Sequence, residues 1–154
     1  MPDKQIFIPE KLSIISFKLI KGQVEAPEEF IVENVEGHHL ENNLELGFNL
    51  QDKLIKVDYT IDITTESKGK NKNEAKGSFH FVFIFSVENL EELAILNEKK
   101  MIDLNGSLGN ALSGITYSTS RGILLTRLQG TPFQNFILPV INPNNLLAKG
   151  NKNK

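Results

Sequence analysis

Three stretches of the chain alternate apolar and polar residues at a period of two, the mark of a strand with one buried face. Over residues 43–50, Leu44, Leu46, Phe48 and Leu50 fall on one side and Glu45 and Asn49 on the other. Over 54–65, Val57, Tyr59, Ile61 and Ile63 alternate with Lys56, Asp58, Thr60 and Asp62. Over 77–87, Phe79, Phe81, Phe83, Phe85 and Val87 share one face, and His80, Val82, Ile84 and Ser86 the other. Each phenylalanine ring covers roughly 150–250 Å² when buried, so this third stretch belongs at the centre of a core. An earlier apolar stretch, 12–24, slips in phase: Ile15, Phe17 and Leu19 have one parity, Ile14 and Ile20 the other. A β-bulge, or burial of both faces, produces such a slip.

The connections set the order of these strands. Gln51, Asp52 and Lys53 form a short polar turn, which predicts an antiparallel hairpin between the second and third strands. Residues 66–76 are uniformly polar and charged, the composition of a mobile loop. Residues 25–42 begin Glu-Ala-Pro and contain Gly37-His38-His39, too long for a tight hairpin and suited to a crossover.

The period then changes. Residues 87–97, with Leu90, Leu93, Ile95 and Leu96 and early acids, suit a short helix. From 101 to 129, Leu104, Leu108, Ala111 and Ile115 recur at three- and four-residue spacing, and Gly130 with Pro132 stops the helix. The middle of this helix is crowded with Gly, Ser, Thr and Ala, and each glycine costs ~1 kcal/mol against alanine. Close approach to another surface compensates, and the face of Gly109, Ser113 and Thr116 is assigned to an oligomer interface. Residues 131–147 carry three prolines among Phe133, Phe136, Ile137, Leu138, Val140 and Ile141, which favours extended backbone. Residues 1–147 are expected to form one domain, and 148–154 a disordered polar tail.

Composition removes several function classes. Among 154 residues, 17 Lys+Arg face 19 Asp+Glu, a formal net charge of −2, without the dense basic face of a nucleic-acid binder. The absence of cysteine removes disulfides, thiol nucleophiles and cysteine zinc sites. No basic start with an apolar run opens the chain, and the longest apolar stretches fall far short of the ~20 residues of a membrane helix. The expectation is a cytoplasmic protein without a membrane span.

No catalytic constellation stands out, and neither cofactor nor metal is called for. Gly106, Gly109 and Gly114 lie inside a helical pattern without a P-loop ending, and Ser118 to Arg121 lack a nucleophile elbow. Adjacent His38 and His39 suit solvation better than one shared metal. Asp58 and Asp62 lie on the polar strand face, where a solvated surface is the simpler account than paired catalytic carboxylates. The apolar wealth of 132–141 either caps the core or walls a groove that accepts another chain.

At these residues the chain resembles the SecB export-chaperone family. The resemblance rests on Val24-Glu25-Ala26-Pro27 leaving the first strand, three further strands, and a long helix carrying Arg121 and Gly122. Gly130-Thr131-Pro132-Phe133, Leu138-Pro139-Val140-Ile141-Asn142 and Leu146-Leu147 complete it. It covers about residues 12–147.

The resemblance implies an α+β fold: a four-stranded antiparallel sheet with a crossover and one long helix packed on one side, the second C-terminal helix short or absent. It further implies a dimer or a dimer of dimers (a tetramer), holding unfolded polypeptides in apolar grooves without ATP. Carried onto this sequence, the groove comprises Leu44, Leu46 and Phe48 on one wall and Phe133, Phe136, Ile137, Leu138 and Val140 on the other. Asp58 and Asp62 correspond to the acidic sheet face on which that family docks the SecA motor. At −2 the chain is less acidic than is usual there, so a role in protecting an antitoxin fits at least as well as protein transport. The expected function is thus a non-enzymatic holdase. A carrier or enzyme for a small apolar ligand, or an adaptor with a fixed folded partner, is the alternative.

Overall fold

Strands β1 (Leu12–Glu25), β2 (Val35–Asn49), β3 (Leu54–Ser67) and β4 (Lys76–Val87) form one antiparallel sheet in the order β1-β4-β3-β2. The computed structural model describes residues 6–69 and 73–151. The alternating pattern decides which face is covered. Ile55, Val57, Tyr59, Ile61 and Ile63 of β3, with Phe79, Phe81, Phe83 and Phe85 of β4, are buried on one face. On β4, Phe79 stacks near Phe81 and Phe83 near Phe85, with ring centroids 6.4 and 6.0 Å apart.

The phase slip in β1 comes from two irregularities. Register against β4 shifts between Ile14 and Ser16 and again between Leu19 and Lys21, leaving Ile15 and Ile20 as extra residues. Between the shifts Phe17 stays on the covered face, opposite Phe83, with ring centroids 5.0 Å apart. The expected bulge is therefore present twice. The β2–β3 hairpin forms as expected, with Lys53 at φ 58° in its turn. Because β1 and β2 occupy opposite edges, residues 26–34 cross the sheet, a distance of about 14 Å over three inter-strand steps.

The chain between β4 and the long helix departs from its periodicity. Helix α1 spans only Leu90–Leu93, and a small antiparallel hairpin follows, β5 (Ala94–Leu96) with β6 (Ile102–Leu104). Asn97 is the cause: its Oδ1 accepts from the backbone N–H of Lys99 and of Met101, at 2.9 and 3.1 Å. That clasp turns the chain back with Lys100 at φ 60° and ends the expected helix over 87–97 early.

Helix α2 (Gly106–Arg127) accordingly starts later than residue 101, with Asn105 as its N-cap accepting from Leu108 N–H at 3.0 Å. It lies over the covered sheet face, burying Leu108, Leu112, Tyr117 and Leu124. Helix α3 (Asn144–Asn151) packs on β2 and α2. Residues 148–151, expected in a disordered tail, therefore form its last turn, and residues 152–154 lie outside the described residues. The loop expected over 66–76 is shorter, since β3 runs to Ser67 and β4 starts at Lys76. Glu74 anchors it, accepting from the N–H and hydroxyl of Ser67 and the hydroxyl of Thr65. Burial pushes the Glu74 carboxyl up, but these bonds outweigh it and hold it below the usual range.

The small-residue face of α2 turns inward. Ser113 and Thr116 are 0% exposed within a single chain and Gly109 is buried, so this stripe has no free surface to give a second subunit. Its close approach is intramolecular. A Cβ on Gly109 would stand 3.0 Å from Leu147 Cδ1 and 3.4 Å from Leu104 Cδ2. Ser113 Oγ donates to the Gly109 carbonyl at 2.9 Å, which satisfies a hydroxyl far from water.

Candidate functional site

A groove of about 630 Å³ opens between β2 and the β5–β6 hairpin. Its first wall is Leu44, Leu46 and Phe48, which project together because side chains of one strand face repeat every second residue. Its second wall is Met101, Ile102 and Leu104. Gly109 of α2 and Leu147 of α3 also line it, with Glu45, Lys100 and Asp103 bordering it. Leu44 is 2% exposed, whereas Leu46 and Phe48 are half-buried.

The segment expected as the facing wall sits elsewhere. Phe133, Phe136 and Leu138 are core: they are 0%, 7% and 2% exposed. The Phe133 ring lies against Gly77, where an added Cβ would meet Phe133 Cε2 at 3.3 Å, and both phenylalanines flank His38 on β2. Tyr117 O–H donates to the Pro139 carbonyl, tying the same segment to α2. Ile137 and Val140 are exposed, Val140 at 90%, and neither lines the groove. Of the eight groove residues read from the sequence, the three on β2 therefore converge on the groove and the five after α2 do not. Sequence reasoning missed Met101, Ile102, Leu104 and Leu147. The signal for the hairpin was Asn97 followed by a polar turn and the alternation Ile102-Asp103-Leu104.

The charged residues lining the groove are Glu45, Lys100 and Asp103. His38 titrates below its ordinary value because its ring is buried, with the Glu66 charge opposing, and its Nε2 has no hydrogen-bond partner. Burial raises the Tyr59 hydroxyl, which accepts from Asn42 Nδ2 at 2.7 Å. Burial also raises Tyr117, against the nearby Arg121 charge. Asp58 and Asp62 lie on the sheet face away from α2, as their parity predicts, but their settings differ. Asp58 is half-buried, 2.8 Å from His80 Nε2 and 3.7 Å from Lys56 Nζ, whereas exposed Asp62 accepts from Ser78 Oγ at 2.7 Å. Among the described residues no three His, Asp or Glu converge as a metal site, and no helix is long and apolar enough to cross a membrane.

Sheet, crossover, long covering helix and short second helix together define a SecB-like α+β fold. The chain is similar to the Mycobacterium tuberculosis Rv1957 SecB-like chaperone, solved in complex with a ChAD peptide from the Rv1956 HigA1 antitoxin. The TM-score is 0.58 at 14% identity, covering 86% of this chain and 91% of that one. A protein of unknown function from Streptococcus agalactiae also matches, at 9% identity over 84% of this chain and 97% of that chain. Its TM-score of 0.32 is too low to carry an argument. No family model and no curated protein matches the chain.

Proposed function

We propose that the chain is a cytoplasmic, ATP-independent holdase that binds an unfolded or extended polypeptide in the groove beside β2. One observation carries this: two strand-built apolar walls, Leu44, Leu46 and Phe48 against Met101, Ile102 and Leu104, face each other across an open groove. The SecB-like neighbour bound to an antitoxin peptide supports a polypeptide as the occupant. It also favours antitoxin protection over export as the role. On the polar sheet face Asp58 is half-buried and paired with His80 and Lys56, so docking of an acidic-face partner such as the SecA motor would rest more on exposed Asp62 and its cross-strand neighbour Glu41.

Self-association, if a dimer or tetramer forms, would use the β1 edge instead of the buried α2 stripe. Ile14, Ile15, Phe17 and Ile20 are exposed along that edge strand, an apolar strip beside unpaired backbone. The test of function is suppression of aggregation of an unrelated unfolded polypeptide without nucleotide, by the parent and by Leu46→Ser/Phe48→Ser. Loss of holding in the variant with its fold intact is expected. A variant as active as the parent overturns the groove assignment. A second reading, a small apolar ligand, draws on the groove volume, which falls within the ~300–1,000 Å³ range of small-molecule sites. Displacement of a fluorescent fatty acid by that ligand class, but not by unfolded polypeptide, would favour it.

A further inference from the structure

The backbone of β2 offers the groove more than the side chains of its wall. Hydrogen bonds in an antiparallel ladder fall on alternate residues, so one bond sets the phase of a whole strand. Val87 N–H donates to the Lys53 carbonyl at 3.0 Å and Thr65 N–H to the Ala75 carbonyl at 3.1 Å, which assigns the odd positions of β3 to β4. The even positions of β3 therefore bond to β2, where they oppose Glu41, Asn43, Glu45, Gly47 and Asn49. The Asn43 carbonyl accepts from Thr60 Oγ1 at 3.4 Å, on the β3 side as this phase requires. Leu44, Leu46 and Phe48 are left with N–H and C=O turned to the free edge. No strand lies on that side of β2, and no other segment bonds their main chain among the described residues.

The groove runs along this edge. Glu45 lines it together with Leu44, Leu46 and Phe48, although Glu45 belongs to the opposite parity. One cavity meets both parities of a strand where it borders the strand's edge. The edge is also straight: register against β3 holds from Gly37 to Asn49, whereas β1, at the other edge, shifts twice. Bulges blunt an edge against pairing, and an unbroken edge templates it. Leu44 is 2% exposed, so its edge groups are shielded from water and costly to leave without a partner. A hydrocarbon ligand supplies no such partner. The amides of an extended polypeptide supply one at every second residue, in step with the about 6.8 Å repeat of the edge.

We propose that the client is held by strand addition: its main chain pairs with the β2 edge at Leu44, Leu46 and Phe48 and extends the sheet. This rests on the groove reading above and adds the source of affinity, main-chain hydrogen bonds that read no sequence. Directly opposed residues share a face. The client residues that exchange bonds with Leu44, Leu46 and Phe48 are therefore also those whose side chains enter the apolar groove, against Met101, Ile102 and Leu104. The client residues between them turn their N–H away from β2.

The experiment measures binding of labelled peptides, alternating Leu and Ser, to the full chain by fluorescence anisotropy. In one set a central Leu has its amide N–H replaced by an ester oxygen; in the other set a central Ser does. The Leu ester should weaken binding about fivefold or more, the loss of a shielded hydrogen bond, and the Ser ester by less than about twofold. On the protein, Leu46→Pro removes a donor that faces the edge and leaves the ladder to β3 its bonds, the one strand setting in which proline is tolerated. It should weaken binding about fivefold beyond Leu46→Ala. Should Leu46→Pro unfold, the two esters decide alone. Equal losses from both esters, or none from either, overturn strand addition; if Phe48→Ser weakens binding in that case, the groove stands as a site for side chains. A parent that binds none of the peptides overturns both readings. A Leu46→Pro variant with altered oligomer mass and unaltered peptide affinity also overturns the proposal, making the edge a contact between copies.

Discussion

Phe133→Ala separates a core ring from a client-binding ring, and the structure sets the size of the effect. Phe133 is 0% exposed, with its edge on Gly77 and its face near His38, centroids 6.0 Å apart. Removing such a ring forfeits its transfer free energy of about 2 kcal/mol. The void left between β2, β4 and the segment after α2 adds to that, since these strands cannot close in without breaking register. Fully buried Phe→Ala changes cost about 3–5 kcal/mol, a large part of the ~5–15 kcal/mol stability of a domain. In urea, with m of about 1.5–2 kcal/mol/M, the unfolding midpoint should fall by about 1.5–3 M. Peptide affinity measured well below the new midpoint should remain near the parent value, because the ring does not line the groove. A midpoint shift under about 0.5 M together with lost peptide binding would refute the reasoning and return Phe133 to the client surface.

Gly109→Leu should cost about 1–3 kcal/mol by overpacking, as the new side chain drives into Leu147 and Leu104; light scattering should show an unchanged oligomer mass, and a dissociated oligomer with unchanged stability would restore the subunit-interface role of this stripe. For His38 the folded pKa lies below 6.5 because burial disfavours the imidazolium. Its contribution is fully present above the unfolded pKa of about 6.5 and is lost as pH falls through the folded value; His38→Gln should flatten that part of the stability–pH curve, and an identical curve would show that another group controls it. Asp62→Lys should leave the melting temperature within about 2 °C, while Asp58→Lys, which loses His80 and gains Lys56 as a like-charged neighbour, should lower it measurably; equal melting temperatures would deny the two carboxylates their different settings.

The sheet was legible because period-two alternation follows directly from backbone geometry. The residues assigned inward on β3 and β4 are buried, and of the opposite β4 face only Val82 is buried with them; even the phase slip of β1 announced its irregularities through Ile15 and Ile20. The β2 wall of the groove came with it, since Leu44, Leu46 and Phe48 share parity on a strand whose place was set by a crossover and a short turn. Other placements depended on what each segment packs against. Small residues at helical spacing require a close neighbour but do not name it; Leu147, nearly 40 positions along the chain, supplies it for Gly109. Phe133 and Phe136 in a proline-rich segment satisfy a core and a groove equally well, and only their packing against His38 of β2, with Phe133 also against Gly77 of β4, decided for the core. The hairpin was hidden for a different reason. Its strands are three residues each, so the brief alternation Ile102-Asp103-Leu104 is outweighed by the helical spacing around it, and the side-chain clasp of Asn97 decides the turn. Local alternation specifies which face of a strand is buried, whereas the partner of an apolar face is a long-range choice made by the packing of the whole chain.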